Sequence, residues 1–205
     1  GLIAAMDRHC ESLRNTPSLR TALNLAKLGA YSVLLRPGWY GLVRKLPGLG
    51  LGRTVYDESY PLQRYSRVLA GFAQTLFEGL HSLSERRRAN AAALLEVLRE
   101  INGVRVIEPS PDSQPAFVRL PFLVDDPARR STVIERLDRA GIGATASYPS
   151  ALCDVPEIAG VLPASDRTMP GAQRVASSIV TLPTHPYCPP ELPRRVADIL
   201  RRSLR

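Results

Sequence analysis

Apolar residues recur at three- and four-residue steps between residues 18 and 35. Leu19, Leu23, Ala26, Ala30, Val33 and Leu34 predict a helix there, which Pro37-Gly38 ends. Upstream, Leu2 to Met6 has the texture of a strand end. A second short amphipathic piece runs from Trp39 to Leu46 and stops at Pro47-Gly48. Residues 48–61 then form a glycine-rich, aromatic and acidic loop or extended arm. The longest regular pattern opens at Ser66, a helix-capping residue, and places Leu69, Phe72, Leu76, Leu80 and Leu83 on one face. The period continues through Ala91, Leu94, Leu95, Leu98 and Ile101 to Asn102-Gly103, a C-terminal cap pair. One helix over 66–101 would be roughly 54 Å long, which suits a bridge between domains or a subunit interface.

Beyond Asn102 short strands and helices alternate. Val104 to Ile107, Ala116 to Val124, Ile142 to Tyr148 and Ile179 to Leu182 read as strands. Asp126-Pro127 opens a helix with Val133, Ile134 and Leu137 inward and Gly141 as its stop. A closing helix turns Leu192, Val196, Ile199 and Leu200 to one side. The organisation is a large-domain tail with an apolar insertion and an arm (1–65), a bridging helix (66–101) and a small α+β domain (102–205).

The 205 residues are 44% hydrophobic and 22% charged, ordinary values that exclude disorder and collagen-like structure. Lys27, Arg36 and Arg44 break up the most apolar region, so no membrane span is expected. The net charge of +8 comes largely from arginines interleaved with acids, as in Glu85-Arg86-Arg87-Arg88. That pattern is the solvated face of a helix, and without a nucleic-acid-binding motif no such partner is expected. Cys10, Cys153 and Cys188 are too dispersed for a disulfide framework. His9, His81 and His185 are equally dispersed, and no metal site is expected. The chain opens at Gly1 with no signal-peptide pattern. It reads as a piece of something longer, with reduced thiols in a cytoplasm.

Local motifs point weakly to chemistry. Gly48-Leu49-Gly50-Leu51-Gly52 lacks the ending of a phosphate loop, and Asp57-Glu58 fits a solvent-facing arm. Leu182-Pro183-Thr184-His185-Pro186-Tyr187 is more distinctive. Two prolines hold the backbone stiff around His185 at a strand end, which aims the side chain at a cleft or at a structural hydrogen bond.

Taken in order, several segments resemble the C-terminal half of the DegT/DnrJ/StrS family of sugar aminotransferases. Arg64-Tyr65-Ser66 resembles the family's arginine-x-serine stretch, and Arg86 to Ala91, followed by Leu94 to Leu98, its R-x-x-N/I-A signature. Arg130 with Leu137 to Ile142 resembles its helix-strand pattern; Tyr148-Pro149 and Thr181 to Pro186 resemble its last two landmarks. Gly1 to Ala5 is similar to the strand after its lysine-bearing segment. Order and spacing hold from about residue 55 to 205.

The resemblance implies the C-terminal part of a fold-type-I α/β scaffold: a long bridging helix plus a small α+β domain. It implies a homodimer that binds pyridoxal 5'-phosphate and moves an amino group from glutamate or glutamine to a nucleotide-linked keto-sugar, for surface polysaccharide or other amino-sugar synthesis. It also assigns Arg64 to the cofactor phosphate, and Tyr148 and His185 to the substrate sugar. The departures are definite. The chain's two lysines, Lys27 within a helix and Lys45 beside Pro47, lack the setting of a Schiff-base lysine. Leu62 stands where the family has a phosphate-binding asparagine, and Cys153 where it often has a histidine. No catalytic residue is therefore expected in this chain, and alone it should not transaminate. Two further readings are a degenerate homologue kept as a binding or dimerising module, and a membrane-surface role for residues 18–46. Docking of that apolar face on a preceding large domain is preferred to the membrane.

Overall fold

The computed structural model describes residues 13–34, 63–148 and 150–205. The chain divides into two compact units, Gly1–Gly79 and Leu80–Arg205. The expected strand end at 2–6, the amphipathic piece at 39–46, the glycine-rich arm, Lys45 and Leu62 lie outside the described residues.

In the first unit, β1 (Arg14–Asn15) pairs in parallel with β2 (Gln63–Arg64). The helix expected from residue 18 forms as α1 (Ser18–Leu34), and α2 (Arg67–Glu78) touches it. Thr16 Oγ1 donates to Arg64 O at 2.5 Å, and Arg20 to Gln63 Oε1 at 3.2 Å. Ser66 occupies the cap position of α2 with extended backbone, but its side chain makes no capping bond. Of the apolar face read from the sequence, only Leu69 is buried in α2, whereas Phe72 and Leu76 are exposed.

The pattern predicted as one helix over 66–101 is built as two, α2 and α3 (Leu80–Arg99). The break is Gly79, whose N–H turns to Leu76 O at 3.2 Å, a tighter three-residue bond that a residue without a side chain accommodates readily.

The second unit is a three-stranded antiparallel sheet with helices packed against it. Its strands β3 (Val104–Val106), β4 (Arg119–Val124) and β5 (Ile179–Pro183) lie in the order β3-β4-β5. Period-two alternation on β4 turns Leu120, Phe122 and Val124 to one face, where all three are fully buried. Phe122 pairs across the ladders with Val106 and Val180, and Leu120 with Leu182. That face packs against Leu94 and Leu98 of α3, Val133 and Leu137 of α4 (Arg130–Arg139), and Val196 and Leu200 of the closing helix. Burying one such side chain contributes about 1.5–3 kcal/mol, so this one cluster is the core of the unit.

The turn chemistry explains where α4 begins and ends. Asp126 accepts from Ala128 N at 3.0 Å ahead of a Pro127–Arg129 turn. At the other end Ile142 N bonds Leu137 O and Gly141 N bonds Asp138 O, with Gly141 left-handed at φ +75. This is the double bond of a glycine-terminated helix.

Two strand expectations are corrected. Residues 142–148 form no strand, only an isolated bridge between Thr145 and Thr181, because Gly143 and Ser147 take left-handed backbone (φ +68 and +55) that breaks a ladder. The strand expected from Ala116 starts at Arg119, since Phe117 at φ +44 cannot continue it. Two helices had no apolar period to announce them: α5 (Pro156–Ala159) and α6 (Pro170–Ser178), which buries only Ala176. The chain closes with α7 (Leu192–Ser203).

Candidate functional site

An antiparallel sheet with one face on the core commonly leaves the other wet. Here it does not: every residue of β5 is buried. The second face carries Arg119 and Pro121 from β4 and Ile179 and Thr181 from β5. Residues 107–109 and 115–118 and the Ser147-Tyr148 turn wall it in, enclosing a cleft of about 550 Å³. Arg119 is held by neutral oxygens. Its Nε donates to Thr181 Oγ1 at 2.7 Å, and its Nη2 to Gly143 O and Thr181 O at 2.7 and 2.8 Å. Thr181 Oγ1 also meets Ser147 Oγ at 2.7 Å and Thr145 Oγ1 at 3.1 Å. The guanidinium and three hydroxyls therefore form one connected network along the cleft.

The two non-glycine residues with positive φ among the described residues, Phe117 and Ser147, both line this cleft. Such strain persists only where neighbours enforce it, and it gathers at working sites. The Ser147–Thr181 bond holds one of them, and a bond from Thr184 Oγ1 to Phe117 O holds the other.

Beyond β5 the Thr184–Cys188 loop is fastened to α3. Asn90 Nδ2 donates to Thr184 O at 3.1 Å and to His185 O at 3.0 Å, and Arg86 donates to Pro186 O at 3.3 Å. Arg87 donates to Val118 O at 2.8 Å, tying the same helix to the cleft wall. His185 Nδ1 lies 3.7 Å from Cys188 Sγ. Burial, then the positive charge of Arg87, with a smaller contribution from Arg119, push the imidazole below its ordinary range, against a backbone hydrogen bond that raises it. Burial pushes the Cys188 thiol up, against the pull of the same two arginines. The pair is thus a neutral imidazole beside a protonated thiol, not an ion pair primed for nucleophilic attack.

Tyr148 lines the cleft, two-thirds exposed. His185 is not among its lining residues. The two are related through Arg119, which borders the cleft and whose charge reaches His185. Arg64 belongs to the first unit, where it is exposed and borders a separate hollow of about 920 Å³ with Asn15, Gln63 and Ser66. Cys153 is buried, with its thiol 3.8 Å from Asp154. No group of three or more metal-ligating side chains occurs among the described residues. Nor is any helix among them long and apolar enough to cross a membrane. Lys27, the one lysine among the described residues, is exposed on α1, the opposite of the desolvated setting that a Schiff-base lysine needs. These residues therefore do not fit covalent attachment of pyridoxal phosphate.

Sequence reasoning gave no site role to Arg119, Thr181, Ser147 or Asn90, although Thr181 and Asn90 stand in strings that carry the family resemblance. The available signal was Arg119 itself, a charge at an out-of-core strand position beside Leu120, Phe122 and Val124.

The helix-backed antiparallel sheet matches part of the fold of solved sugar aminotransferases. The DegT/DnrJ/EryC1/StrS aminotransferase family profile matches residues 63–201, and the chain belongs to that family. Among solved structures it is similar to DesV of S. venezuelae, described in complex with a ketimine intermediate. The two share 25% identity at a TM-score of 0.62, over 83% of this chain and 45% of that one. DesI in the presence of its TDP-sugar product is 24% identical at 0.61, over 71% and 38%. CalS13 of Micromonospora echinospora, a sugar aminotransferase, is 23% identical at 0.56, over 82% and 45%. The last two likenesses are of fold. The chain spans less than half the length of each. No curated protein matches it.

Proposed function

We propose that this chain is the C-terminal portion of a pyridoxal-phosphate-dependent sugar aminotransferase, a cytoplasmic homodimer that aminates a nucleotide-linked keto-sugar with nitrogen from glutamate or glutamine. Its place is the synthesis of surface polysaccharide or another amino sugar. The cleft on the second face of the sheet carries the reading, within a chain of this family. In this arrangement residues 102–205 are the small domain, 66–101 bridge to it, and 1–65 are the tail of the large one.

The chain's own residues act on the substrate side. The Tyr148 and Ser147 hydroxyls meet sugar hydroxyls, and Arg119 gives that end of the cleft a fixed positive charge. His185, held neutral, serves as an acceptor or a donor at a sugar oxygen. Arg64 offers a charge-assisted bond to a phosphate. The cofactor supplies the electron sink for amino transfer when bound; its covalent anchor is assigned to no residue here. Exposed Lys27 also favours a second reading, a homologue kept for binding or dimerisation without transamination.

Titration of the full chain with a TDP-sugar, followed by saturation-transfer NMR, tests the cleft. Binding should weaken about threefold to tenfold in Tyr148→Phe, the loss of one hydrogen bond. An unaltered affinity, or no binding, refutes the substrate role. Incubation with pyridoxal phosphate and borohydride should leave the intact mass unchanged; stoichiometric reduction onto one lysine would overturn the absence of an anchor.

A further inference from the structure

The ladder between β4 and β5 ends at the pair Arg119 and Pro183. In the same register the next opposed residues are Val118 and Thr184, and there a side chain makes the connection. Thr184 is fully buried. Its Oγ1 donates to Phe117 O and, at 3.3 Å, to Val118 O. Val118 O also accepts from Arg87 at 2.8 Å, and Asn90 holds Thr184 by its carbonyl at 3.1 Å. Arg87, Val118, Thr184 and Asn90 thus close a ring of bonds through α3.

Phe117 and Val118 line the cleft, whereas Thr184 is not among its lining residues. Phe117 takes φ +44, an outlier for a bulky side chain. Such a conformation persists only where the surroundings enforce it. Its relaxed alternative, extended backbone, would carry β4 further upstream. That change would re-aim Pro115 and the Phe117 ring, both of which line the cleft.

We propose that Thr184 is a positioning residue for the cleft: its hydroxyl keeps Phe117 left-handed and so sets the wall against which a ligand rests. The proposal rests on the reading of the cleft as a sugar site. Valine fills the same space without the proton, and Phe117 O then loses its donor in half-buried surroundings. Serine keeps the proton. Thr181 serves the other strained residue, Ser147, from the same strand, so each hydroxyl has its own target.

The test compares the full chain with Thr184→Val and Thr184→Ser by nuclear magnetic resonance. A left-handed residue brings its amide proton close to its own Hα, which gives a strong intraresidue Overhauser signal. At Phe117 that signal should be strong in the wild type and in Thr184→Ser, and weak in Thr184→Val. Ser147 should keep its own signal in all three. Affinity for a TDP-sugar should fall about threefold to tenfold in Thr184→Val and return in Thr184→Ser. A merely structural role would lower the urea midpoint and leave the affinity of the folded chain unmoved. Stability gives an independent reading. In a Phe117→Gly background, where left-handed backbone carries no strain, Thr184→Val should cost less of the urea midpoint than in the wild type.

An unchanged Phe117 signal in Thr184→Val overturns the proposal. So does an unchanged affinity once that signal is lost, or an equal midpoint cost in both backgrounds. If the wild type binds no TDP-sugar, the sugar reading of the cleft fails. The Phe117 signal and the midpoint comparison then still decide whether Thr184 sets the wall.

Discussion

Asn90 is the clearest place to perturb the loop that carries His185. Its amide donates to Thr184 O and His185 O from the side of α3, and both bonds have ordinary length. The carbonyls differ in what they have left. His185 O also accepts from Cys188 N at 3.0 Å, whereas no other donor to Thr184 O is evident among the described residues. Asn90→Ala therefore removes two bonds worth about 1 kcal/mol each and leaves one carbonyl to find water. Asn90 is half-buried, so rehydration is partial and the total loss should be about 2–3 kcal/mol. Urea unfolding followed by far-UV circular dichroism reads this directly, because at a slope of about 1–3 kcal/mol/M the midpoint should fall by roughly 0.7–3 M. Asn90→Leu separates bonding from volume: it fills similar space without a donor and should lose as much as the alanine variant. A shift below about 0.3 M in both variants, at unchanged slope, would refute the claim that this side chain fastens the loop.

Two further outcomes follow from the same unit. Because the His185 imidazole is pushed below its ordinary range in the folded chain, the unfolded chain binds the proton more readily. Stability from this group should then fall as pH drops from about 6.5 toward the lower folded value and not fall further below it. His185→Gln should flatten that part of the urea-midpoint profile between pH 7.5 and 5, and an unaltered profile would exclude the assignment. Phe122→Ala opens a hole at a fully buried position where both ladders of the sheet meet. It should cost about 3–5 kcal/mol in the same urea experiment, and a loss under 1 kcal/mol would mean that the core lies elsewhere.

Local chemistry accounts for what was legible in the sequence. The apolar run that ends in β4, the Asp126-Pro127 start and Gly141 stop of α4, and the apolar stripe of α7 each depend on neighbours within a few residues. They appear in the structure close to where the pattern puts them. The family resemblance was legible for the same reason, since it rests on short strings in a fixed order. Tyr148 and His185 could be named from those strings, but not what surrounds them.

Tertiary structure decided the rest. Residues 142–148 carry enough apolar character for a strand, yet two left-handed residues, Gly143 and Ser147, turn them into the wall of a cleft. Thr181, on a strand more than thirty residues away in the chain, shares a hydrogen bond with Ser147 that braces this conformation. Arg119 has the same origin: its strand is readable, but it bonds Gly143 and Thr181, which only the packing of distant segments brings within reach. Sequence periodicity records which side of an element faces the core. What lies on the other side depends on contacts between distant segments, and the cleft of this protein is made of those.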